Sequence, residues 1–239
     1  MKIWPFGKQK RGALGIDIGT SAIRVVELSR HGDQERLENY AQLSLPLRAP
    51  RYFGQSRKGK LLFSTSNLAE MLARLLAEAK IESNNACFSI PDFSSFFTTF
   101  KVPVTDEAEL PEAVKIQSQQ YIPLPLSEIT LDWQLIKKNI SDKKISSVEV
   151  LLVAVPNQII HQYQEIARLA FLDLKNLEAE VFGLIRTLVR NEDPAVIIDI
   201  GQESTTCSIV DKKILKVSHS FDLGSGKLVN ALMKGLNGY

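Results

Sequence analysis

The sequence predicts a mixed α/β fold in two lobes, and three observations predict it. The segment Leu14-Gly-Ile-Asp17-Ile-Gly19-Thr20-Ser21 recurs in form as Val196-Ile-Ile-Asp199-Ile-Gly201-Gln202-Glu203. Each copy is followed by a second β-run, Ala22 to Leu28 and Thr205 to Val210. Between the copies, apolar runs of strand length alternate with segments of helical period. One Asp-x-Gly after a strand says little, because both residues are common in turns. Two copies, each inside a strand–turn–strand, are far more specific.

The elements follow in order. Ala13–Ile18 and Ala22–Leu28 form a hairpin around Gly19-Thr20-Ser21, with a glycine available for positive φ. A third strand over Glu35–Leu43 follows the turn at His31-Gly32-Asp33. Residues 47–60 are rich in Pro, Gly, Arg and Lys and read as a loop. Leu68, Met71, Leu72, Leu75, Leu76 and Ala79 share one face of a helix over 68–80, and Asn67 with Glu70 resembles a capping box. Asn85–Pro91 is a strand, and another runs from the Phe93, Phe96, Phe97, Phe100 cluster to Val102. A helix over 107–120 tolerates Pro111 only in its first turn. Strands at 129–137 and 147–155 flank a polar linker over 138–145. Then come a helix at 157–170, a strand at 174–180, a helix at 181–190, and strands at 195–200, 205–210 and 214–219. A last helix runs from Gly226 into Leu236.

The chemistry explains the residue types in the duplicated unit. A glycine in the turn lets backbone N–H groups approach phosphate oxygens without a Cβ clash. A hydroxyl at Thr20 or Ser21 can donate a further hydrogen bond. A carboxylate cannot favourably meet bare phosphate, but it can hold Mg²⁺ through water while the metal bridges the phosphates. Two such hairpins facing each other would grip a nucleotide from both sides.

Composition narrows the rest. Net charge is +2, from 29 basic and 27 acidic residues, which gives no general reason to expect nucleic-acid binding. Cys87 and Cys207 lie in apolar runs and read as small buried hydrophobes in a reducing compartment, not as a disulfide framework. His31, His161 and His219 show no metal-ligand spacing. No run approaches the roughly 20 apolar residues of a membrane helix. The opening segment sets Ile3, Trp4 and Phe6 among Lys2, Lys8, Lys10 and Arg11. It reads as a flexible tail over 1–11 or as an aromatic-basic tag for a membrane surface or partner.

The paired hairpins resemble the phosphate 1 and phosphate 2 motifs of the actin, heat-shock chaperone and sugar kinase superfamily. Within it the chain resembles the PilM family of type IV pilus assembly proteins, relatives of FtsA. The likeness runs through Phe6-Gly-Lys, Gly15 to Ser29, Gln119-Gln-Tyr-Ile-Pro-Leu-Pro-Leu-Ser-Glu, Asp132-Trp-Gln, Val148 to Pro156, the second hairpin and Asp222-Leu-Gly-Ser-Gly. It implies an actin-like, ribonuclease H-like ATPase fold. Residues 12–92 and 148–193 would be the first-lobe core, 93–147 an inserted small α/β subdomain, and 194–239 the start of the second lobe. ATP and Mg²⁺ are the implied ligands. Asp17 would lie near the metal through water, and Gly19, Thr20 and Ser21 on phosphates. Asp199, Gly201 and Thr205 would form the second hairpin, and Gly224 and Gly226 an anion-binding turn before a helix. Arg24 stands where the family usually has lysine.

The resemblance further implies a cytoplasmic assembly protein at the inner face of the bacterial inner membrane. Its partner would be the N-terminal cytoplasmic peptide of a PilN-like protein, in a groove between the first-lobe core and residues 93–147. Other pilus assembly proteins are further implied partners, with nucleotide as a structural or switching ligand. Family members continue into a glycine-rich adenosine motif, so a sequence closing at Tyr239 is expected to lack the purine pocket and bind ATP poorly. No general base is identifiable, which suits at most a weak ATPase. The alternatives are an active ATPase or phosphotransferase of the same superfamily, and a GspL-like type II secretion component.

Other clusters have plainer readings. The four phenylalanines read as core more than as a peptide dock, and Glu107, Glu109 and Glu112 as acids favoured in a helix's first turn. Arg48, Arg51, Arg57, Lys58 and Lys60 read as a solvated loop.

Overall fold

The computed structural model describes residues 12–32, 34–45, 64–103, 107–141 and 144–236. The N-terminal tag and the basic loop over 47–60 lie outside the described residues. Three sheets organise the chain. In the first, β1 (Ala13–Ile18), β2 (Ala22–His31) and β3 (Gln34–Ser44) form an antiparallel meander. β4 (Asn85–Ile90) and β8 (Asp173–Ala179) extend it in parallel, giving the order β3-β2-β1-β4-β8. Parallel neighbours need crossovers. Helix α1 (Thr65–Glu78) lies on the path from β3 to β4, and α3 (Asn157–Leu169) on the path to β8. Their apolar faces close one core, where Leu68, Leu72 and Ile166 meet Leu14, Ile18, Ile23 and Phe88 of the sheet.

Between β4 and α3 the chain builds a second sheet. A 3-10 turn, Asp92–Ser94, leads into β5 (Phe96–Val102), and α2 (Leu110–Ser118) follows. The long hairpin of β6 (Ile129–Ser141) and β7 (Lys144–Pro156) completes the order β5-β7-β6. Residues 147 and 148, expected to divide the inserted subdomain from the core, are neighbours inside β7, whose pairing runs on to Pro156. Strand period places Val148, Val150, Leu152 and Ala154 against α2. The alternate residue Leu151 enters a third core with Val181, Ile197, Val210 and Leu215, and Val155 enters the first.

Helix α4 (Glu180–Leu188) carries the chain from β8 to a third, antiparallel sheet of order β11-β10-β9. Its strands are β9 (Ala195–Ile200), β10 (Thr205–Asp211) and β11 (Ile214–Phe221), and α5 (Ser225–Leu236) follows. One face of this sheet buries Ile197, Val210 and Leu215. The other leaves Val196, Ile198, Ile200, Ile209 and Val217 exposed.

Several expectations need correction. Ser64, not Asn67, caps α1: its hydroxyl accepts the Asn67 amide, so Asn67 is the donor three residues inside. Glu107–Glu109 is a 3-10 turn ahead of a shorter helix. The polar linker over 138–145 is mostly strand, because Asn139 and Ile140 pair with Ser147 and Ile145 and lengthen the hairpin. The phenylalanines divide between cores. Phe96 and Phe100 pack toward α2, and Phe97 meets Phe182 edge-on at 6.0 Å. Gly19 is not among the positive-φ residues, whereas Gly32 is, at 64°. Cys87 and Cys207 are half-buried free thiols, and burial pushes the Cys87 thiol up.

Ser64→Ala is expected to destabilise the fold by about 1 kcal/mol in chemical denaturation. Glu70→Ala, which breaks only an exposed 3.8 Å pair with Arg74, is expected to cost less than about 0.5 kcal/mol. Equal losses would mean that the cap lies elsewhere.

Candidate functional site

The two hairpins are built alike. The Gly19 amide donates to Ala22 O at 3.0 Å, and the Gly201 amide to Ser204 O at 2.9 Å. Each turn is thus closed by its glycine, so these amides are used inside the turn. At Gly201 a Cβ would stand 3.0 Å from Ser204 O, which accounts for the glycine by close approach. The hydroxyls of Thr20 and Ser21 have no hydrogen-bond partner among the described residues and stay open to a ligand. Asp17 ends β1 between β2 and β4, opposite Arg24 and Ser89. Its Oδ2 accepts Arg24 Nη1 at 3.0 Å and its Oδ1 accepts Ser89 Oγ at 3.1 Å. Arg24 Nε also donates to Gln42 Oε1 at 3.1 Å, which fixes the guanidinium over the hairpin.

On the second hairpin, Asp199 occupies the matching place and is exposed. Thr205 is buried and donates its hydroxyl to Leu223 O, tying β10 to the turn ahead of α5. That turn is shut against the hairpin. The Ser225 amide donates to Gly201 O at 2.8 Å and the Gly226 amide to Gln202 O at 3.0 Å. A Cβ on Gly224 would fall 2.3 Å from Gln202 O, and one on Gly226 2.5 Å from Gln202 Nε2. Packing on Gln202 therefore accounts for both glycines in this conformation, and these two amides are engaged within the protein.

Two further acids stand beside the hairpins, and sequence reasoning missed both. Asp92 follows Pro91 at the end of β4 and is buried; Glu180 opens α4 and is half-buried. The Val181 amide donates to Asp92 Oδ1 at 3.2 Å, and the Asp92 amide to Glu180 Oε2 at 3.4 Å. Burial pushes the Asp92 carboxyl up to about 7; the Val181 amide pulls it down and Asp199 pushes it further up. Burial also raises Glu180 to about 8, with added repulsion from Asp17, Asp92 and Asp199. The same repulsions tie these four carboxylates into one electrostatic neighbourhood. Tyr163 of α3 faces it as well. Its hydroxyl is buried without a hydrogen-bond partner, and burial, Glu180 and Asp17 raise its proton affinity. The sequence held a faint signal in Asp92 after Pro91 and Glu180 at a helix start, each of which reads alone as ordinary punctuation.

Among the described residues, no three His, Cys, Asp or Glu side chains converge on a directly bound metal ion. The donor set instead fits a hydrated cation. Asp17 already has both oxygens engaged, Asp199 is open to solvent, and unpartnered hydroxyls flank Asp17. A hydrated Mg²⁺ suits this set because it keeps several waters and takes one or two carboxylates.

A family profile described as Type IV pilus assembly protein PilM matches residues 15–235. The solved structure of a PilM–PilN type IV pilus biogenesis complex aligns with a TM-score of 0.78 at 24% identity, covering 96% of this chain and 67% of that one. Ethanolamine utilization protein EutJ from Carboxydothermus hydrogenoformans aligns at 0.52 and 12% identity, covering 94% of this chain and 56% of EutJ. The cytoplasmic domain of EpsL, an inner membrane component of the type II secretion system of Vibrio cholerae, aligns at 0.55 and 9%, covering 88% and 71%. These likenesses give the chain the actin-like α/β fold expected from the paired hairpins.

The raised carboxyls fix a pH dependence. Folded Asp92 and Glu180 hold protons that the unfolded chain releases near pH 4, so folding takes up protons between about pH 4 and 8. Stability from these groups is fully present in acid and is lost as pH rises through about 7 and 8. Glu180→Gln is therefore expected to melt above the wild type near pH 8.5, with the gap closing toward about pH 5. A gap independent of pH would refute the assignment.

Proposed function

This chain belongs to the type IV pilus assembly protein PilM family, and from that premise we propose that it is a cytoplasmic assembly scaffold working at the inner membrane. Its partner is the N-terminal cytoplasmic peptide of a PilN-like protein, and Mg-ATP is a structural or switching ligand of the paired hairpins. The observation that carries the nucleotide half is the twin closure of the Gly19 and Gly201 turns, each with an aspartate two residues before it. Thr20 and Ser21 supply the open donors, and Asp17 and Asp199 supply charge for the hydrated metal. When bound, that metal would neutralise phosphate charge. Arg24, held by Asp17 and Gln42, sets a guanidinium beside the turn, a group that suits a phosphate oxygen as well as a carboxylate.

For the peptide, support comes from a groove of about 290 Å³ between α2 and β6. Pro111, Val114, Leu126, Ile129, Leu131 and Trp133 line it, with Lys115 among them. It lies wholly within the inserted elements, rather than between them and the first-lobe core. β6 is an edge strand of its sheet, and an extended segment laid along it would gain backbone hydrogen bonds while apolar side chains enter the groove.

Glu180 favours a second reading, slow phosphoryl transfer to water. A carboxyl with its pKa raised to about 8 beside the hairpins is suited to exchange a proton near neutrality.

Calorimetry separates these roles. The PilN-like N-terminal peptide is expected to bind the chain, and Trp133→Ala to weaken it about tenfold. Mg-ATP binding, measured separately, is expected to fall about tenfold in Asp17→Asn while peptide binding is unchanged. A folded chain that ignores the peptide rules out the scaffold reading.

A further inference from the structure

We propose that Asp92 is a positioning residue that latches the first turn of α4 in a proton-dependent way. Helix α4 lacks a cap of its own. Ala179 precedes it and makes no side-chain cap hydrogen bond. Asp92 fills that role from a distant segment: its Oδ1 accepts the Val181 amide, and its own amide donates to Glu180 Oε2. The two bonds are reciprocal, as in a capping box, but the halves come from different parts of the chain. The contact is buried, so little water competes for the Val181 amide.

The position gives the latch its reach. Asp92 stands where the chain leaves the first sheet for the second, between β4 and β5. Helix α4 stands where it leaves the first sheet for the third, between β8 and β9. Val181 itself lies in the core shared by β7, α4 and the third sheet. One carboxyl thus pins together the exits to both other sheets.

Its charge sets how firmly it holds. An ionised carboxylate accepts a stronger, charge-assisted bond and is favoured at a helix N-terminus; a neutral carboxyl accepts a weaker one. The groups around it are Glu180 from α4, Asp199 from β9, Asp17 from β1 paired with Arg24 from β2, and Tyr163 from α3. β11 packs on the same turn and carries Lys216 and His219. Burial first, and then repulsion from Asp199, favours the neutral, looser latch. A cation at the hairpins offsets that repulsion and favours the ionised, tighter one. Only this last link rests on the nucleotide and metal reading above.

The test uses the full chain, ¹⁵N-labelled and free of metal and nucleotide. In the wild type, the Val181 amide proton resonance is expected to shift with a midpoint near neutral pH. Glu180, which precedes Val181, also titrates, at about 8, so the comparison is made with Glu180→Gln in both chains; there the shift is expected to persist with Asp92 and to vanish in Asp92→Asn, which keeps the acceptor oxygen. Protection of the Val181 amide from hydrogen exchange is expected to drop about fivefold in Asp92→Ala and to recover within about twofold in Asp92→Asn. A midpoint that survives in Asp92→Asn carrying Glu180→Gln overturns the proposal, as does unchanged protection in Asp92→Ala. If Asp92→Ala fails to fold, the Asp92→Asn titration decides alone. Failure of Mg-ATP to bind removes the nucleotide reading and leaves this measurement untouched.

Discussion

Burial of carboxyl groups in a partly dry space, with like-charge repulsion added to it, is the constraint around which the centre of this molecule is arranged. Asp17, Asp92, Glu180 and Asp199 arrive from four different elements, and the inner pair, Asp92 and Glu180, is raised first by burial and then by repulsion from its neighbours. Arg24 offsets Asp17 directly. The remaining charge is relieved by protons, which Asp92 and Glu180 retain to about 7 and 8. A hydrated cation would relieve it differently, by neutralising the two hairpin aspartates and freeing the inner pair to ionise. The carboxylates of this site outnumber the cations beside them, and protons on Asp92 and Glu180 offset part of the excess.

That arrangement needs three sheets held in fixed relation, and β7 does much of the holding. Its alternate residues face different partners, with Val150 and Leu152 toward α2 and Leu151 toward the third sheet. Near its end, Val155 joins the first core. A strand apolar on both faces cannot lie at a surface without wetting one of them. Its two-sided composition therefore forces the inserted elements against the rest of the molecule instead of leaving them as an outlying lobe.

The hairpins were legible in the sequence because their logic is local. Each turn is closed by an amide and a carbonyl three residues apart, and at Gly201 a Cβ would press on that carbonyl. The repeated Asp-Ile-Gly carried the fold for the same reason. The Asp92–Glu180 pair was not legible, because its partners lie far apart and each passes alone for a turn residue or a first-turn acid. Gly224 and Gly226 signalled a tight turn, but what makes it tight, the backbone of Gln202 at Gly224 and its side chain at Gly226, sits on the β9–β10 hairpin. At α1 the spacing of Asn67 and Glu70 imitated a cap one turn inside the real one at Ser64. The long β6–β7 hairpin was hidden because its outer half is polar, and cross-strand pairing outweighs composition there.

The bare face of the third sheet bears on the heat of unfolding. Val196, Ile198, Ile200, Ile209 and Val217 are already hydrated in the folded chain. Melting therefore newly wets less apolar surface than the apolar content of these strands suggests. The heat-capacity step on unfolding scales with that newly wetted surface. For the described residues that step is smaller than their apolar content suggests, and any surface that covers this face would enlarge it.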